Sequence, residues 1–221
     1  MNFKDHLNLK GEHALFNPSQ SSWLRYSDDK IIEKYKAQYR TTLGTEFHEY
    51  AASQIELGIK QTSIKNLVNS IMTCIYGKYN KNVNYGLKLI ENIRYIPRDV
   101  FETIKIYIND GIGYRMIPEQ VLYYSEFIFG TADTICFNEK TSELRIHDLK
   151  TGAIPAHMEQ LLVYAALFCL EYNIKPSDIK TELRIYQNNQ IIYDNPSIED
   201  IIPVMDKIIT INKSLSLLKG R

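Results

Sequence analysis

Between Phe127 and Lys150 the chain carries two runs rich in β-branched and aromatic residues, and the only strong turn signal inside them is Asn138 to Ser142. Folded back on that turn, Phe137 stands opposite Leu144, Ile135 opposite Ile146, Asp133 opposite Asp148 and Thr131 opposite Lys150. Side chains alternate at period two along a strand, so all of these are expected on one face. That face is apolar beside the turn and charged at its far end. Two carboxylates opposed across a sheet repel, and on a largely buried face they are costly unless protonated or neutralised by a cation. Lys150 supplies one positive charge, and a divalent ion that prefers hard oxygen ligands, Mg²⁺ or Mn²⁺, would supply the rest. The alternative is an ordinary surface ion pair of Asp148 with Lys150 ahead of a Thr-Gly turn. A solvated face, however, would not also present Ile135, Phe137, Leu144 and Ile146.

The hairpin sits in an α/β pattern. Asn17 and Pro18 read as a helix cap and first turn. Helical periodicity runs from about Glu33 to Lys60, Ser63 to Tyr79, Val83 to Ile93 and Pro97 to Asp110. After Gly113 the texture turns to strand, with Val121 to Ser125 ahead of the hairpin. Pro155 reads as the first turn of a helix reaching Tyr172. Thr181 to Tyr186 and Ile191 to Tyr193 flank QNNQ as a second hairpin, and an amphipathic helix from about Ser197 to Leu218 closes the chain. The expectation is one domain over residues 1–221: a mainly helical part, 1–112, and a part, 113–221, with a mixed central sheet flanked by helices.

At 221 residues and 44% hydrophobic content such a chain can bury a full core. No apolar run approaches the roughly 20 residues that cross a bilayer, and MNFKDHLNLKGEH lacks a secretory apolar stretch, so a soluble, cytoplasmic protein without a membrane partner is expected. Lys plus Arg and Asp plus Glu balance at 26 each, which leaves no global positive field; any nucleic-acid binding must be local. Cys74, Cys136 and Cys169 are too scattered for a disulfide framework or a Cys-x-x-Cys site.

Four separated segments resemble, in order, the motifs of the RecB-like exonuclease branch of the PD-(D/E)XK nuclease superfamily. Gly44-Thr45-Glu46-Phe47-His48 looks like its GxxxH helix and Gly130-Thr131-Ala132-Asp133 like its metal-binding strand. Asp148-Leu149-Lys150-Thr151-Gly152 looks like its Asp-x-Lys-Thr-Gly motif and Gln160-Leu161-Leu162-Val163-Tyr164 like its QxxxY helix. The stretch His13 to Ser19, with Trp23-Leu24, looks like the opening of phage-encoded members. Some relatives hold an iron–sulfur cluster on four cysteines; this chain has Tyr26 where one of them falls, so no cluster is expected.

The resemblance implies a restriction-endonuclease-like core and a metal-dependent DNA exonuclease of phage or bacterial recombination or repair. The alternatives are a structure- or site-specific endonuclease of the same superfamily and a catalytically idle nucleic-acid-binding module. Asp133, Asp148 and the Leu149 carbonyl are expected to hold one or two Mg²⁺ or Mn²⁺ ions, with Lys150 orienting water or steadying developing charge. His48 is a further metal ligand or a helix-surface histidine. Glu119 is an acid near the metal or a solvated strand-edge charge. Gln160 and Tyr164, one helical turn apart with His157 before them, face the active site and DNA or, for Tyr164, the core. Glu46 and Glu49 read as surface charges. Arg25, Lys34, Lys36, Tyr39, Arg40, Arg115 and Tyr124 are scattered candidates for DNA contact. The chain carries no P-loop, so a helicase or a single-strand-binding protein is an expected partner on single-stranded or duplex DNA ends.

Overall fold

The computed structural model describes residues 14–152 and 154–219; His13, in the opening stretch, lies outside them. Asn17 caps a 3₁₀ segment, Pro18–Arg25, through its side chain. Helix α1, Asp28–Leu57, starts earlier than its periodicity indicates. Ser27 accepts the Lys30 N–H as N-cap, Asp28 and Asp29 complement the dipole of the first turn, and Gly58 ends the helix with φ 68°. Helices α2, Ile64–Lys78, α3, Val83–Ile93, and α4, Arg98–Gly113, complete the helical region.

Five strands follow: β1, Ile117–Ser125, β2, Ile128–Asn138, β3, Glu143–Lys150, β4, Lys180–Gln187, and β5, Gln190–Asp194. They form one sheet in sequential order. All neighbours are antiparallel except β3 and β4, which run parallel and are joined by the crossover helix α5, Glu159–Glu171. Asn188 and Asn189, both at positive φ, turn the β4–β5 hairpin. Helix α6, Ile198–Lys219, closes the chain. This is an α/β protein with a mixed five-stranded sheet flanked by helices. No helix among the described residues is long and apolar enough to cross a membrane.

One core joins α1 to α4 with Leu149 and Tyr186 of the sheet; the other joins α5 and α6 to Leu122, Ile135, Leu144, Ile146 and Ile185. Glu46 belongs to the structure, not to the surface. It is buried on α1, where Lys78 Nζ at 2.9 Å and Tyr79 Oη at 2.8 Å donate to its carboxylate and tie α1 to α2.

The β2–β3 register is as the turn dictates: Phe137 pairs Leu144, Ile135 pairs Ile146 and Thr134 pairs His147, where the ladder ends. Beyond it the one-face expectation fails. Ala132 and Ile135 both enter the α5-side core, whereas Thr134 meets Tyr107 of α4, so alternation breaks at Asp133. Opposite that break Glu119 has φ 52°, and the β1–β2 register steps over both residues. A local irregularity of this kind re-aims a side chain. Here it turns Asp133 away from the α5 core and towards α1.

The α5 helix also departs from expectation. Pro155 is exposed in the preceding loop, not in the first turn, and the helix starts at Glu159. The loop is fastened to the sheet instead: buried Gln187 donates to the Gly152 and Ile154 carbonyls at 2.8 and 2.7 Å and accepts from Ala156 N–H at 3.1 Å.

Candidate active site

Two glycines explain how the separated segments come together. A Cβ on Gly44 of α1 would lie 3.2 Å from Thr151 Oγ1, and one on Gly130 of β2 would lie 3.0 Å from the Tyr164 ring of α5. The missing side chains ease the approach of α1 to the end of β3 and of α5 to β2, since a Cβ at either position would press a neighbouring side chain by a few tenths of an ångström. Gly130→Ala should therefore overpack the α5 contact, lowering stability by about 1–3 kcal/mol and the melting temperature by several degrees. In a Tyr164→Ala background the same change should cost nothing further, and a thermal double-mutant cycle reads the difference.

Around these contacts the polar groups form a chain. His48 Nδ1 lies 3.3 Å from Asp133 Oδ2, and the Leu149 N–H donates to the same oxygen at 2.9 Å. Leu149 thus meets the site through its backbone while its side chain fills the α4-side core. Lys150 Nζ donates to Asp148 Oδ1 at 3.0 Å and also stands 2.9 Å from Oδ2, a contact of charge without hydrogen-bond geometry. It donates in addition to Gln160 Oε1 at 3.1 Å, and Gln160 reaches the Tyr164 hydroxyl at 3.4 Å. That hydroxyl donates to the Thr131 carbonyl at 2.7 Å, so Tyr164 clamps β2 to α5 and its proton is committed. Gln160 and Tyr164 are positioning groups for Lys150 and β2. His157 is exposed ahead of the helix.

The electrostatics follow from burial. Asp148 is only 2% exposed, and its carboxyl is pushed up to about 6 by burial first and by the charge of Asp133 second, with Lys150 opposing both. Burial of the His48 ring opposes its protonation, but the hydrogen bond and charge of Asp133, with Asp148 behind it, outweigh burial and raise its pKa. Glu119 is raised as well, by burial and by Asp133. Its interaction with Asp133 and its place in the cleft wall set it beside the site.

An open cleft of about 880 Å³ lies between α1 and the sheet, lined by His48, Glu119 and Asp133 among others. Asp148, Lys150, Gln160 and Tyr164 stand behind that lining, towards α5. Among the described residues, no three His, Cys, Asp or Glu side chains are gathered closely enough to hold an ion by themselves. The chemistry of the donors nevertheless fits a small hard cation. Asp148 Oδ2 is buried without a hydrogen-bond donor, and Mg²⁺ is commonly held by one or two carboxylates, with water and substrate phosphate completing its shell. His48 meets the Asp133 carboxylate through Nδ1.

The scattered basic and aromatic candidates separate once their surroundings are known. Tyr39 is buried among the helices, which removes it from the surface, and Tyr124 is half-buried with its ring packed against the α5 core. Arg40 lines the cleft, as does Tyr95, which the motif-based reading passed over. No protein-family model, no curated protein and no solved structure matches this chain.

Proposed function

We propose that the chain is a metal-dependent nuclease that hydrolyses phosphodiester bonds in DNA, built on a restriction-endonuclease-like core of the PD-(D/E)XK type, and that it acts as an exonuclease. The observation that carries this reading is the linked cluster itself. Segments around residues 44–48, 130–133, 148–151 and 160–164 interlock through the Gly44–Thr151 and Gly130–Tyr164 contacts and the His48–Asp133 and Lys150–Gln160 pairs. A purely structural ion pair has no use for a second carboxylate, Asp133, whose charge adds to the burial that already raises Asp148 to about 6.

Asp133 and Asp148 would hold Mg²⁺ or Mn²⁺ from the cleft side and the α5 side respectively. Bound there, the ion would polarise the scissile phosphate and lower the pKa of the attacking water. Lys150, held between Asp148 and Gln160, would offer its ammonium to negative charge developing on the phosphoryl oxygens. His48 and the Leu149 N–H fix one Asp133 oxygen, leaving the carboxylate oriented before substrate arrives.

End-labelled linear single-stranded and double-stranded DNA, incubated beside a closed circle in Mg²⁺, Mn²⁺ or EDTA, tests this reading. The expected result is metal-dependent loss of linear DNA with the circle intact and no loss with Lys150→Ala. Nicking of the circle would make the protein an endonuclease; cleavage nowhere would sink the nuclease reading and leave a binding module.

A further inference from the structure

Lys36, Arg40, Gly44 and His48 follow one another at four-residue intervals along α1, the spacing that builds a ridge on a helix. At the rise of an α-helix the ridge runs about 18 Å from Lys36 to His48. Its inner end is the approach to Asp133; Arg40 lines the same cleft farther out. At the outer end Lys36 Nζ lies 5.7 Å from the centre of the Tyr95 ring, and the Arg94 guanidinium lies 4.7 Å from it. Tyr95 itself lines the cleft from the α3–α4 connection and is 52% exposed. Among the described residues neither Lys36 nor Arg40 is paired with a carboxylate. The cleft therefore carries Asp133 and Glu119 at one end and, towards the other, a wall with the unpaired Arg40 and an exposed aromatic ring flanked by unpaired Lys36 and by Arg94, which is paired with Glu91.

We propose that this wall is the track for a single nucleic-acid strand, with phosphates on Lys36 and Arg40 and an unpaired base stacked on Tyr95 in place of one of the two cations that now lie over its ring. The strand would run inward along the α1 ridge to the carboxylates. Phosphate neutralisation by Lys and Arg together with stacking on an aromatic face is how single strands are held without sequence preference. A base can stack on Tyr95 only if one of its faces is free, which duplex stacking denies it. The inference rests on the nuclease reading and narrows its substrate to an unpaired strand.

Fluorescence anisotropy of a labelled oligothymidylate of about a dozen nucleotides, in EDTA and again in Ca²⁺ over a salt series, tests the track apart from cleavage. A duplex of the same length serves as comparison. The expected result is tighter binding of the single strand than of the duplex. Tyr95→Ala should weaken it about tenfold or more, with Tyr95→Phe close to wild type. Lys36→Ala and Arg40→Ala should each flatten the slope of log affinity against log salt by about 0.7. Wild-type affinity and slope in all three alanine variants, no binding by the wild type, or equal affinity for the duplex would each overturn the track. Binding with these signatures but without cleavage in Mg²⁺ or Mn²⁺ would retain the track and remove the nuclease.

Discussion

Asp148→Asn is expected to reduce metal-dependent DNA cleavage about a thousandfold while leaving the melting temperature at neutral pH within a few degrees of wild type. On the proposed reading, the activity loss would follow from removing a charged ligand of an ion whose stabilisation of the transition state is worth several kcal/mol. The stability expectation has a different origin. The Asp148 carboxyl sits at about 6 in the folded protein against 3.8 for an ordinary aspartate. Below about pH 4 the group is protonated in both states and costs nothing. As pH rises, the unfolded chain ionises first while the folded protein keeps its proton to about pH 6, so stability falls across that window by about 2–3 kcal/mol and then levels. Asparagine removes that cost and the pH dependence with it. Against this gain, asparagine places an amide where Oδ2 now lacks a donor and weakens the hold on Lys150, offsetting penalties of similar size. An Asp148–Lys150 pair kept for stability alone would behave otherwise, because breaking a buried pair costs about 3–5 kcal/mol. Thermal denaturation from pH 4 to 8, beside cleavage of linear DNA, separates the two; a destabilised variant that still cleaves would sink the assignment.

The parts of the fold that were readable before the structure are those written locally. The Asn138 to Ser142 turn sets the β2–β3 register, and QNNQ sets the β4–β5 hairpin through two asparagines that tolerate positive φ. Asp148 and Lys150 could be nominated from the strand pattern, with Asp133 opposite them by register count, whereas Gln160 and Tyr164 entered only through the resemblance of their helix to a family motif. What could not be read depends on partners distant in the chain. Glu46 looks like a surface charge until α2 delivers Lys78 and Tyr79 to it. Pro155 looks like a helix start until Gln187 of β4 anchors the loop as loop. The break in alternation at Asp133 lies opposite Glu119 at positive φ, a conformation that glutamate does not advertise. The cleft wall is intermediate: Lys36, Arg40, Gly44 and His48 keep a visible four-residue interval, but Tyr95 joins them only through the α3–α4 connection.

Leu144→Ala, four residues before Asp148 on the same strand, is expected to show the reverse pattern: a loss of about 3 kcal/mol in stability with the cleavage rate of the remaining folded protein unchanged. Leu144 is fully buried on β3, opposite Phe137 of β2 and beside Thr181 of β4, in the core that α5 and α6 close. Truncating it removes apolar burial and leaves a cavity in the middle of a sheet whose neighbours on both sides are hydrogen-bonded in place, so collapse around the gap is limited. For a chain of this length about 3 kcal/mol corresponds to roughly 6–12 °C in melting temperature. The carboxylate end should be spared, because Asp133 is held by His48 and Leu149, and Lys150 by Gln160, through polar contacts that do not involve Leu144. Urea denaturation and cleavage assays well below the melting temperature measure both halves. A large fall in cleavage with stability intact would mean that the two ends of the hairpin are coupled, and that the apolar end near the turn takes part in holding the charged one.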